Sequence, residues 1–397
     1  MTRALIASFI MGVVALASAA QTQTPAPSAP ASVQPPDSAT HFDVSADRSE
    51  LKKINNETVL ELTDNVRIVH GDVTVTANRG IHYTIQKRTQ LFGNVKAVQQ
   101  TMTMTGDEGE YLQYEDLAIL RKHVHIVDRG WQVDCNEVRY SRLTGEAWLL
   151  GKVVGYDSTT TIHADRILYR RLIEEAEAFG NVEMKNTKQD IVQYGQHGIY
   201  YRTTGQGIVD EAPTLISNTR EKEPVTVTAD TMRVSPDSSW ATAYYKVKII
   251  KGNTITQADS AMIYDKQKRL DLFGHPLAKQ DNVWMKGDHM RAFYNEDEVN
   301  RIVIRGNAEI RELPRDSMVV NRDNWMKGDS ITIYLHNNDV DSVWVNGHAQ
   351  SEYHPLSTSK VESNTIQGDQ MFMRFGPNEV EWVDVQGNAS GVYRYVD

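Results

Sequence analysis

The stretch IHADRILYRRLIEEAEAFGNV, residues 162–182, decides how the chain is read. A small residue and an acid, Ala164-Asp165, open it. Tyr169 follows, and an apolar pair leads into Gly180-Asn181-Val182. The same order recurs along the chain. The small-plus-Asp/Asn mark stands at Ala46-Asp47, Ala77-Asn78, Gly106-Asp107, Cys135-Asn136, Ala164-Asp165, Ala229-Asp230, Ala258-Asp259, Gly287-Asp288, Gly328-Asp329 and Gly368-Asp369, with a weaker copy at Gly195-Gln196. Steps between successive marks are 29 residues five times. An aromatic follows most marks, among them Tyr83, Tyr111, Tyr140, Tyr169 and Tyr200. Self-similarity at this period is the signature of stacked supersecondary units.

Each unit reads as two strands. VTVTAN (73–78), MTMTGD (102–107) and VTVTAD (225–230) alternate residue by residue, the period of a half-buried strand. Val, Ile, Thr and Tyr suit a pleated surface. The glycine pairs in LFGNV (91–95), LLGKV (149–153), AFGNV (178–182) and LFGHP (272–276) are read as tight turns, where positive φ is needed. The repeated Asp is read as a residue at which a strand is entered. A helix is conceivable only at 170–178. The fold expected is all-β: repeated two-strand units stacked as an elongated folded-over sheet.

Outside the repeat, residues 1–20 read as a secretory signal peptide: Arg3, an apolar run from Ala4 to Ala17, then small residues with cleavage near Ala19 or Ala20. The run is short for a membrane span of about 20 residues, and no cysteine follows it for lipid attachment. Residues 21–43 form a Pro/Ala-rich linker holding five of the chain's 12 prolines, with order expected from near Phe42. A repeat region at 44–217 and a second at 218–397, open to being continuous with the first, complete the organisation. The charged stretch 218–224 is the expected hinge. Inserts at 312–324 and 351–364 are expected surface loops.

Composition narrows the function. The 397 residues are 40% apolar and 24% charged, with a net charge of −10 and no long basic run, which argues against a nucleic-acid partner. Cys135 is the single cysteine, so an internal disulfide and a cysteine-based zinc site are excluded. It falls mid-strand and reads as a small core residue. No His-Glu-x-x-His, Gly-x-Ser-x-Gly or phosphate-binding glycine loop is present. His123 and His125 share a strand face without a carboxylate placed beside them. A ladder of Asp invites calcium or polysaccharide chemistry, but one Asp per unit fits structure better than a single active site. No catalytic residue, metal ligand or cofactor is assigned.

The order small-Asp-spacer-aromatic, then apolar-apolar-Gly-Asn-Val, resembles the OstA/LptA-like repeat of lipopolysaccharide-transport proteins. TANRGIHYTIQKRTQLFGNV (76–95) and HADRILYRRLIEEAEAFGNV (163–182) carry it best. It covers about 44–210 well and 225–397 more loosely. The resemblance implies a β-jelly roll or "β-taco" with an apolar interior, serving as a non-enzymatic periplasmic bridge for lipopolysaccharide or another acylated lipid. LptC-like and LptD-like jelly-roll proteins would dock end to end by strand pairing, and self-association is open by the same route. No outer-membrane barrel region follows, so a soluble bridge is expected. From the residues alone, Val73, Val75, Met102, Met104, Val225, Val227, Val283 and Met285 lie on the inward rows and are candidates to line a lipid groove. At about 0.8 kcal/mol per buried methylene, a dozen-carbon chain could gain roughly 10 kcal/mol before ordering costs. Two other classes fit the repeat: a secreted β-helix enzyme acting on polysaccharide, and a structural β-repeat protein without lipid cargo.

Overall fold

The computed structural model describes residues 42–54, 56–158, 160–186, 191–204, 206–217, 224–235, 240–264, 266–295, 299–313, 323–336, 339–354, 361–376 and 380–395. The signal-peptide reading (1–20), nearly all of the linker, most of the hinge at 218–224 and the centres of both inserts lie outside these residues. Contacts divide the chain into two compact units. One runs to Lys188 and resumes over Tyr194–Val209. The other holds Gln189–Gln193 and Asp210–Asp397.

In the N-terminal unit the strands are β1 (Phe42–Ser45), β2 (Arg48–Ile54), β3 (Glu57–His70), β4 (Val73–Tyr83), β5 (Arg88–Gln99), β6 (Met102–Leu112), β7 (Leu117–Asp128), β8 (Trp131–Ser141), β9 (Glu146–Tyr156), β10 (Thr160–Arg170) and β11 (Glu175–Asn186). From β3 onward each strand pairs antiparallel with the next, while β1 and β2 both pair with β3. β12 (Ile191–Tyr201) and β13 (Gln206–Asp210) follow. The possible helix at 170–178 is instead the turn 171–174 and the start of β11. No helix forms among the described residues.

The C-terminal unit repeats the plan with short pieces early and long strands late: β14 (Thr214–Ser217), β15 (Val225–Thr228), β16 (Thr231–Ser235), β17 (Trp240–Lys251), β18 (Thr254–Tyr264), β19 (Arg269–Phe273), β20 (Leu277–Gln280), β21 (Val283–Lys286), β22 (His289–Tyr294), β23 (Val299–Glu312), β24 (Asn324–His336), β25 (Asp339–Tyr353), β26 (Val361–Phe375), β27 (Val380–Gln386) and β28 (Ser390–Tyr395). It has its own core, with Ile304, Ile310, Ile331, Ile333, Val343, Val345 and Met371 fully enclosed.

The repeated marks sit elsewhere than the sequence reading placed them. Gly180-Asn181 is not a hairpin turn. Both residues have positive φ (73° and 47°) in the middle of β11, with paired strand on either side. Three residues of β11, 180–182, stand opposite two of β10, 164–165. That is a β-bulge, which bends the strand and sharpens its twist. Bulges of the same kind occur at Asp64-Asn65, Gly93-Asn94, Lys122-His123 and Gly151-Lys152. Their 29-residue spacing sets them side by side on neighbouring hairpins, so the bends add into one crease and the sheet folds over. The true hairpin turns are at 71–72, 100–101 and 129–130 on one rim and at 84–87, 113–116, 142–145 and 171–174 on the other.

The Asp mark belongs to the crease as well, rather than to a strand start. A Cβ on Gly180 would overlap the Asp165 carboxylate, and one on Gly93 would lie 2.8 Å from Asn78 Nδ2. The mark's side chain therefore fills the space glycine leaves. Asn181 Nδ2 donates to Asp165 Oδ2 at 2.9 Å, Asn65 Nδ2 to Asp47 Oδ2 at 2.7 Å, and His123 Nδ1 lies 2.7 Å from Asp107 Oδ2. In the C-terminal unit Asn307 and Asn388 donate to Asp288 and Asp369 in the same way. The small residue before each Asp points inward, where the bend crowds the neighbouring strand. Ala77, Cys135 and Ala164 are buried, and a Cβ on Gly287 would strike Ile304.

Candidate functional site

Folding at the crease turns one face of the sheet inward. In the N-terminal unit this face carries Leu62, Val66, Ile68, Leu91, Val95, Met104, Leu120, Val124 and Val138, all buried. The outer face carries ion pairs, such as Glu110 with Arg88 and with Arg121 (2.9 Å to the latter). Burial opposes ionisation of Glu110, but its two arginines outweigh this and hold it below the usual carboxylate range.

The folded interior leaves an apolar pocket, lined by Ile68, Val73, Val75, Leu91, Ala97, Met104, Leu120 and Val138 among others. Val75, Ala97, Met104 and Ile126 are cross-strand partners on β4, β5, β6 and β7. Of the eight groove candidates, Val73, Val75 and Met104 meet at this pocket, and the two valines are only half-buried. Met102 is buried close by. Val225, Val227, Val283 and Met285 are packed into the C-terminal core, each no more than 4% exposed.

The pocket's polar lining comes from the two rims, which the fold brings face to face. His70, at the end of β3, lies 3.0 Å from the hydroxyl of Tyr111 at the end of β6. Tyr111 donates to Asp116 Oδ1 at 2.7 Å. Arg142 Nε donates to both carboxylate oxygens of Asp116, at 2.9 and 3.1 Å. One repeat along, Tyr140 donates to Gln99 Oε1 at 3.2 Å, and Arg171 Nη1 donates to the same oxygen at 3.0 Å. Farther on, Arg129 pairs with Glu174, and Arg202 Nη2 donates to the Arg129 carbonyl at 3.1 Å. His70 and Tyr111 are 41 residues apart, as are Gln99 and Tyr140. Tyr111 and Tyr140, which follow the marks at Asp107 and Asn136, thus close a polar seam between the rims, a role their sequence position alone does not disclose.

The seam is chemically quiet. Burial, then the charge of Arg142, holds the His70 imidazole below its ordinary value, with Asp116 partly opposing. Burial, then the bond to Asp116, pushes the Tyr111 phenol above its ordinary value. Both side chains are therefore uncharged at neutral pH. Burial likewise pushes the Cys135 thiol up to about 11, which leaves almost no thiolate for nucleophilic chemistry. His125, like His123, turns out to have an acid beside it, Asp134, at 2.8 Å. Among the described residues no group of three or more His, Cys, Asp or Glu is placed to hold a metal ion.

Each unit also presents an exposed strand edge among the described residues. β2 pairs with β3 alone, and every one of its residues is exposed, Leu51 at 70%. In the C-terminal unit β27 and β28 pair, among the described residues, only with β26 and expose Trp382, Val392 and Tyr393.

A creased antiparallel sheet with an apolar interior defines the class: an all-β fold of stacked hairpins. Residues 42–193 match the family described as OstA-like protein, and this part of the chain is an OstA-like domain. No curated protein matches the chain. Among solved structures it is similar to the crystal structure of LptH, the LptA-homologous periplasmic component of the lipopolysaccharide transport device of Pseudomonas aeruginosa. The identity is 8%, the match covers 36% of this chain and 82% of that one, and the TM-score is 0.19. At that score the fold rests on this chain's own strand pairing.

Proposed function

We propose that the protein is a non-enzymatic periplasmic lipid-carrier scaffold of the lipopolysaccharide-transport type. The observation that carries this reading is the apolar pocket inside the creased N-terminal unit, bounded by a seam of hydrogen bonds and ion pairs rather than by continuous backbone pairing. Acyl chains gain by entering such an interior, and methionine adapts to mobile tails. Val73, Val75, Met102 and Met104 form the receiving surface. Val225, Val227, Val283 and Met285 take the same part in the second unit when it opens. The edges at β2 and at β27–β28 offer unpaired backbone groups to other jelly-roll proteins, as LptC-like and LptD-like partners would require. The OstA-like match over 42–193 supports the assignment.

The test is photo-crosslinking in cells from probes at Val75 and Met104, with probes at Thr74 and Thr76 as neighbours on the same strand. Inward positions should label lipopolysaccharide and the threonines should not. Labelling from the threonines alone rejects the groove. Depletion of the protein should strand newly made lipopolysaccharide at the inner membrane, and normal export would refute the bridge.

A further inference from the structure

The rim that bears Tyr111, Asp116 and Arg142 also carries a row of exposed apolar side chains that neither the core nor the seam uses. Ile85, Tyr114, Leu143 and Leu172 are 69%, 77%, 72% and 64% exposed. They occur at successive 29-residue steps, each second in its four-residue turn, and Ile173 extends the last one. Backbone hydrogen bonds stitch these turns together: Gln113 N to Lys87 O at 3.0 Å, Arg142 N to Asp116 O at 3.1 Å, and Arg171 N to Gly145 O at 2.9 Å. The row is therefore a line of turns tied to one another, not a set of independent loops. The opposite rim of the same unit turns at Gly71-Asp72, Gln100-Thr101 and Arg129-Gly130, without a large apolar residue. In the C-terminal unit the matching turn between β18 and β19 carries Lys266, Gln267 and Lys268. Among the described residues this apolar row stands on one rim of the N-terminal unit.

The geometry points to this rim docking on a lipid bilayer surface. A line of single side chains is narrow for a protein partner, since a standard interface buries about 800 Å² on each side. It suits a bilayer interface, which accepts isolated apolar side chains while charged neighbours stay among the headgroups. Those neighbours balance: Lys87, Arg142 and Arg171 against Glu115, Asp116 and Glu174. Docking therefore needs no anionic lipid and tolerates salt. The same rim supplies Tyr111, Asp116 and Arg142 to the pocket lining, so docking would turn the seam toward the phase from which acyl chains come. That last consequence rests on the lipid-carrier reading, whereas the docking itself does not.

The experiment is flotation of the full chain with phosphatidylcholine vesicles at low and high salt, beside the double variant Leu143→Asp/Leu172→Asp. Residues 1–20 are common to both chains, so the difference reports the rim. Wild type should float at either salt, and the variant's partitioning should fall at least about tenfold with an unchanged circular dichroism spectrum and melting curve. A polarity-sensitive dye at Leu143→Cys, on a Cys135→Ala background, should shift to the blue when vesicles are added. Wild type that stays at the bottom, equal flotation of the two chains, or a change confined to self-association in sedimentation would each overturn the proposal. Binding of a fluorescent fatty acid by the same two chains in the absence of vesicles reads the pocket separately.

Discussion

The crease can be tested by a double-mutant cycle at Gly180 and Asp165. Gly180 has φ 73°, and an added Cβ would overlap the Asp165 carboxylate. Left-handed backbone costs an L-residue about 1–2 kcal/mol. Lost freedom in the unfolded chain returns about 0.4–1 kcal/mol. Moving Asp165 aside adds about 1–2 kcal/mol, the usual cost of forcing a packed side chain off its rotamer. Gly180→Ala should therefore destabilise the N-terminal unit by about 2 kcal/mol. Asp165→Ala alone loses the exposed 2.9 Å bond from Asn181, worth about 0.5–1 kcal/mol. In the double variant the overlap is gone, so its cost should fall short of the sum by about 1 kcal/mol or more. Lys122→Gly is the control, because that crease already holds a non-glycine residue at φ 64°, and it should change stability by no more than about 0.5 kcal/mol. A chain of two units need not unfold in one step, so the readout is amide hydrogen exchange in β9, β10 and β11. Strict additivity of the two substitutions would refute the packing of Asp165 over Gly180. A neutral Gly180→Ala would refute the strain assigned to a side chain at this position.

At the seam, Asp116→Ala removes the acceptor of both Tyr111 and Arg142, and it should raise hydrogen exchange around residues 70–72 and the rate at which a fluorescent fatty acid reaches the pocket; unchanged exchange and uptake would show that the seam does not restrain opening. Met104→Trp should fill the pocket and weaken fatty-acid binding about tenfold or more in equilibrium titration, while Met285→Trp should impair folding of the C-terminal unit instead. Burial is the first cause holding His70, His82 and His289 below their ordinary value. The folded state then binds fewer protons than the unfolded one, so their contribution is present above about pH 6.5 and is lost as pH falls through the depressed folded values; pH-dependent melting should show the loss, and His70→Gln should remove part of it. Cys135 should resist iodoacetamide in the native protein at pH 8 and react on unfolding, as mass spectrometry will show.

Much of this architecture is legible in the sequence. Alternation in VTVTAN and MTMTGD is a local property of a pleated strand, and the 29-residue step is a property of a two-strand unit. Both survive folding: β4 and β6 begin at Val73 and Met102. The inward rows were legible for the same reason, which is why Val75 and Met104 meet at one pocket. What Gly180-Asn181 does was not legible. Positive φ serves a hairpin turn and a bulge equally well, and only pairing on both sides of the pair distinguishes them. Four positive-φ pairs in the period, at Asp64-Asn65, Lys122-His123, Glu211-Ala212 and Tyr245-Lys246, carry no glycine at all, and their signal was position in the period rather than residue type.

The sequence by itself determined strand, period and inward face, because these follow from steric preferences acting over a few residues. Tertiary structure decided where the sheet folds, because a bend is specified by five bulges aligned on neighbouring hairpins. It also decided the seam. His70 and Tyr111, or Gln99 and Tyr140, lie 41 residues apart, and nothing local links them. They meet because the crease turns opposite ends of the hairpins toward each other and leaves their polar side chains to pair across the gap.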